Sequence, residues 1–230
     1  MQKIIPTAFT AISAFVLLAA APAVGASAHD GQHHVAAAND SVQTPKVTAT
    51  RAALRDLWLG HVFWVRNVVV GTLAKNEAET SAAEKQVVGN AKAIAGAIEP
   101  YYGPKAKDAL FDLLAKHYGA IKSYLNASVA KNSAGENAAI QALNSNAEQI
   151  AALLSGANPN LPKEAVLGLL QAHGAHHVAQ IQQLRAGKFD AEASTWNDMK
   201  DHMYVVADAL ADALAKQFPN KFAPVTVAPK

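Results

Sequence analysis

Histidine recurs in this chain at a fixed interval: His61, His117 and His173 lie 56 positions apart, each closing a leucine-rich run. The runs are "LRDLWLGH" (Leu54 to His61), "LFDLLAKH" (Leu110 to His117) and "VLGLLQAH" (Val166 to His173). Between them, "NAKAIAGAI" (Asn90 to Ile98) lies over "NAEQIAALL" (Asn146 to Leu154) and over "HMYVVADAL" (His202 to Leu210), again at 56. A fixed period of this length signals a repeated supersecondary unit. The unit is helical, since the apolar positions around His117 (Leu110, Leu113, Leu114, Ile121, Leu125) follow i, i+3, i+4 spacing. Alanine is abundant, aromatics make up only 7% of the chain, and β-branched clusters are rare.

Six helical segments follow. The first runs from about Thr48 to Ala74; the second opens at a Ser81–Glu84 capping box and ends at "EPYYGP", where Pro100 and Gly103 break it. The third runs from Pro104 to about Lys131. The fourth opens at a second capping box, Ser133–Glu136, and ends at "SGANPNLP". The fifth spans about Pro162 to Ala186, stopped by Gly187, and the sixth about Asp190 to Phe218, before Pro219. The expected fold is all-α, a six-helix up-down bundle of three hairpins of about 56 residues each. Residues equidistant from a turn share a height on antiparallel helices, and the midpoints of His61/Asn90, His117/Asn146 and His173/His202 all fall in expected turns. At about 1.5 Å per residue, this places all six side chains in one central layer, facing inward.

The flanks differ in kind. "MQKIIPTAFTAISAFVLLAAAPAVGASA" has Lys3, an apolar run and an A-x-A ending, the pattern of a secretory signal peptide over residues 1–28. The run is too short for a stable membrane span, so a bacterial periplasmic or secreted location is expected. Residues 29–47 read as a flexible His-containing lead, 48–218 as the helical domain and 219–230 as a proline-containing tail. The net charge of +2 falls to +1 without Lys3, and with no basic block there is no sign of nucleic-acid binding. There is no cysteine, which excludes disulfides, thiolate metal sites and c-type haem attachment.

Two readings fit a central layer of histidine and asparagine. The residues can hydrogen-bond to one another (His61 with Asn90, His117 with Asn146, His173 with His202) and fix helix register, as a structural or interaction module of the envelope would need. Alternatively the histidines hold a divalent transition metal, Cu, Zn or Ni, for sequestration, transport or tolerance and without catalysis. The core candidates are His61, His117, His173 and His202, with His177 four residues after His173 on the same helix face and at the edge of its stripe; His176 points further round, toward solvent. His29, His33 and His34 form a second candidate cluster at the expected mature N-terminus. Haem held by two histidines ranks behind these. Glu-x-x-His pairs of the di-iron type are absent, and no Ser/His/Asp order or phosphate loop stands out. Trp58, Trp64 and Trp196 read as core or interface fillers and Arg66 as half of a surface ion pair.

"HVFWVRN" (His61 to Asn67), "NAEQIAALLSGANPNLP" (Asn146 to Pro162) and "KQFPNKF" (Lys216 to Phe222) resemble segments of a group of small, uncharacterised bacterial helical proteins. The resemblance covers the helical region and implies a helical fold. It implies no activity and no catalytic residue.

Overall fold

The computed structural model describes residues 44–224. The expected signal peptide, most of the lead with His29, His33 and His34, and residues 225–230 lie outside them. The described chain is all-helical: α1 (Pro45–Leu73), α2 (Glu77–Val129), α3 (Ser133–Ala157), α4 (Lys163–Arg185), α5 (Phe189–Gln217) and the short α6 (Pro219–Phe222). None of its helices is long and apolar enough to cross a membrane.

The second and third expected helices are the two arms of α2. They meet at Gly103, whose φ of 81° and ψ of 177° interrupt the helical path between Pro100 and Pro104. Proline at 104 cannot donate to the preceding turn, and glycine tolerates the positive φ, so the bend has a local cause. Two expected helix starts need correction. The N-caps are Asn76, accepting from the Glu79 N–H, and Asn132, accepting from the Gly135 N–H. The Ser81–Glu84 box therefore lies inside α2, and Ser133 is the first residue of α3 rather than its cap. Asparagine serves here because each follows a residue in the left-handed region, where the chain has just reversed direction.

Those reversals are alike. Lys75 (φ 56°), Lys131 (φ 55°) and Gly187 (φ 69°) are left-handed, and they too lie 56 apart. After each, an N–H reaches back across the helix end: Asn76 to Gly71 (2.9 Å), Asn132 to Ala127 (2.8 Å) and Lys188 to Gln183 (2.9 Å). This is the Schellman pattern that satisfies terminal carbonyls, and lysine adopts it twice at a cost of about 1–2 kcal/mol. Burial follows the same interval. Leu54, Leu110 and Val166 are buried, as are Trp58, Leu114 and Leu170, Ile94, Ile150 and Val206, and Ala95, Ala151 and Ala207.

Each long helix packs on its chain neighbours, and α5 also packs on α1. Ion pairs mark that seam: Arg51–Asp212 (2.5 Å), Arg55–Asp208 (2.5 Å) and Arg66–Glu192 (2.6 Å). Rising numbers in α1 meet falling numbers in α5, so the two run antiparallel. At one end the Thr44 hydroxyl donates to the Phe222 carbonyl (2.8 Å), and Tyr101 stacks on Phe222 at 5.8 Å. The first residues of the expected tail thus form α6 and pack on the domain.

Candidate metal centre

His61 sits midway along α1, His117 midway along the second arm of α2, and His173 midway along α4. Central placement on three helices brings their rings to the bundle axis. His177, one turn beyond His173, joins them. All four are buried, and one ring nitrogen from each lies within 4.8 Å of the others. Their ring centroids are 4.5–6.2 Å apart. His177 is only 1% exposed, so the edge of the stripe is also inside the core.

The amides orient the rings. Asn146 donates its Nδ2 to the Leu113 carbonyl (2.9 Å), which leaves Oδ1 as an acceptor facing His117 Nδ1 at 3.2 Å. His117 therefore carries its proton on Nδ1, and its Nε2 holds the lone pair, buried without a partner. His61 Nε2 and His173 Nδ1 are likewise buried without partners. His173 Nε2 faces His177 Nε2 at 3.2 Å, a gap in which only one of the two nitrogens can carry a proton. Orphaned ring nitrogens cost about 1–3 kcal/mol each, and a cation held at the facing Nε2 atoms of His173 and His177 would also satisfy Nε2 of His61 and of His117, but not Nδ1 of His173.

The electrostatics keep the rings in the ligand form. Burial, with repulsion from His117, pushes His61 down to about 3. Burial lowers His117 to about 4, opposed by its bond to Asn146. His173 and His177 are held well below the usual imidazole value, first by burial and then by neighbouring imidazoles. Four neutral imidazoles offer nitrogen lone pairs and no charge, a set that suits borderline transition ions and not Mg²⁺ or Ca²⁺. Nitrogens 2.0–2.1 Å from a tetrahedral ion lie roughly 3.3 Å apart. The His173–His177 gap of 3.2 Å already matches that edge.

The remaining candidates divide. Asn90 donates to the Leu57 carbonyl (2.9 Å), as Asn146 does to Leu113, but its Oδ1 is buried without a partner and the expected His61–Asn90 bond is absent. His202 stands outside the four-histidine group. Its Nε2 donates to the Leu169 carbonyl (2.8 Å), the same tether that the two asparagines make, so the expected His173–His202 bond is replaced by a backbone contact. His176 is half-buried beside His202, not solvated. Arg66 departs from a surface pair in one respect, because its partner Glu192 is 3% exposed and also accepts from Gln180 (2.9 Å). Trp58 is core, as expected, with its Nε1 buried and unpartnered.

No family model, curated protein or solved structure matches the chain. What the site can do therefore rests on its own residues. On one side of the histidines, Leu54, Trp58, Leu110, Leu114, Val166 and Leu170 help line an apolar cavity of about 60 Å³. This apolar surround limits the access of water that would compete for an ion.

Proposed function

We propose that the protein binds one divalent transition metal ion, Zn²⁺, Cu²⁺ or Ni²⁺, through His61, His117, His173 and His177. The observation that carries this reading is that four buried imidazoles, held neutral, each bring one ring nitrogen within 4.8 Å of the others, and three of the rings have a nitrogen without a partner. A core that needed only register would not gather four imidazoles and leave ring nitrogens on three of them without a partner. The register role belongs instead to Asn90, Asn146 and His202, which tie one helix of a pair to a carbonyl of the other. The two readings of the polar layer thus fall on different residues. The haem reading gains no support, because an axial pair needs two imidazoles on opposite faces of a porphyrin, and here four ring nitrogens lie within 4.8 Å of one another.

The scaffold is, in this reading, an up-down bundle of three hairpins related by the 56-residue interval. The three alike turns, the three carbonyl tethers and the recurrent buried positions support it. The role is sequestration, transport or tolerance in the periplasm, where the sequence of residues 1–28 would direct the chain, and no chemical turnover is assigned. Titration of tag-free protein with ZnCl₂ in a calorimeter tests the binding. One site per chain is expected, lost when His117 and His173 are both replaced by leucine; equal binding by that double variant would refute the assignment.

A further inference from the structure

The pair α4–α5 departs from the chain's own pattern at three positions, each by gaining a histidine. His177 stands where Val65 and Ile121 stand, His176 where Trp64 and Ala120 stand, and His202 where Asn90 and Asn146 stand. His177 completes the buried group. The other two lie further out. They are half-buried, with ring centroids 5.3 Å apart and planes at 71°. The His202 tether fixes its tautomer: a carbonyl can only accept, so in the neutral ring the proton is on Nε2 and Nδ1 has the lone pair. Asparagine would hold that carbonyl equally well, as it does twice elsewhere, so the ring supplies something the tether does not need. His176 Nδ1 is buried without a partner. Asp198, one turn before His202 on α5, is exposed and near enough to bear on His176.

We propose that His176 and His202 form an entry station that passes a transition metal ion from solvent to the four-histidine centre. This rests on the metal-binding reading above. A hydrated cation cannot reach four buried imidazoles without shedding its waters, and replacing them one at a time by nitrogen ligands divides that barrier. The donors are graded inward: an exposed carboxylate, two half-buried imidazoles, then His173 and His177 on the same face of α4. Two imidazoles and a distant carboxylate make an incomplete set, which holds an ion briefly and releases it to a fuller one.

The test is the rate of Co²⁺ loading, followed by stopped-flow visible absorption, and of Co²⁺ loss to EDTA. His202→Asn keeps the carbonyl tether by the precedent of Asn90 and Asn146, and His176→Ala places the residue found at 120. Each variant should reach the same final spectrum and one ion per chain, with loading and release both slowed at least tenfold. A relay lowers a barrier in both directions and leaves the affinity unchanged. Unaltered rates would overturn the proposal. So would a changed final spectrum or stoichiometry, which would make either histidine a resident ligand. If the wild-type protein takes up no Co²⁺, the four-histidine reading fails first, and the relay falls with it.

Discussion

The helix pair formed by α1 and the first arm of α2 and the pair formed by α4 and α5 share a plan and differ in what their cores contain. Both place a histidine at mid-helix, both reverse through a left-handed residue, and both tether the second helix to a carbonyl four residues before that histidine. One turn past the histidine, α1 buries Val65 while α4 buries His177. The first choice is what a core needs, because valine leaves no polar group to satisfy. The second buries an imidazole, whose Nε2 meets His173 Nε2 at 3.2 Å. The difference teaches that the scaffold tolerates an apolar residue at this level, so the fold does not itself call for the fourth imidazole, which the proposed function assigns to a ligand.

Acid should produce the largest effect. Each buried histidine is neutral in the folded chain and protonates readily when unfolded, so the unfolded state binds more protons below about pH 6.5. Stability therefore falls as pH drops from 6.5 toward the folded values of about 4 for His117 and about 3 for His61. The slope should approach about 1.4 kcal/mol per pH unit for each group. Urea unfolding of metal-free protein at pH 7, 5.5 and 4 measures it, and a flat profile would show that these rings are not buried neutral.

His177→Val, which makes α4 resemble α1, separates fold from ligand. Removing one of four ligands should weaken Zn²⁺ binding about 100- to 1,000-fold, taking a quarter of a typical structural-site free energy of about 10–16 kcal/mol as a guide. The metal-free variant should melt at or above the wild-type temperature. A fall in melting temperature with unchanged Zn²⁺ affinity would reverse the roles assigned to the two helices.

A smaller effect distinguishes the ion pairs on the α1–α5 seam. Arg66→Ala leaves Glu192 buried with only Gln180, a loss of about 2 kcal/mol once the partial exposure of the guanidinium is allowed for. Arg55→Ala, at an exposed pair, should leave the melting curve nearly unchanged. Smaller again, Asn146→Ala frees His117 Nδ1 and the Leu113 carbonyl and should cost about 1 kcal/mol in urea unfolding.

Much of the fold could be read beforehand because periodicity reports on helices and on their faces. The 56-residue interval located the turns and the level of His61, His117 and His173. The helix starts were missed where two capping signals competed: Ser81 and Ser133 have the better sequence pattern, but Asn76 and Asn132 follow the left-handed lysines and are placed by the turn. His202 shows what height alone does not give. Equal distance from a turn puts two residues level, but the direction of the ring is set by packing, and a backbone carbonyl leaves no mark in the sequence. The α1–α5 seam was equally invisible, since opposite charges 126 to 161 positions apart can pair in many ways. His177 was legible only as the i+4 partner of His173.

X-ray absorption at the zinc edge of Zn²⁺-loaded, tag-free protein examines the four-imidazole centre most directly. The expected first shell is four nitrogen neighbours at about 2.0–2.1 Å with the outer-shell scattering of imidazole rings, reduced to three imidazoles in His177→Val. A shell dominated by oxygen, or one unchanged by that substitution, would contradict the account.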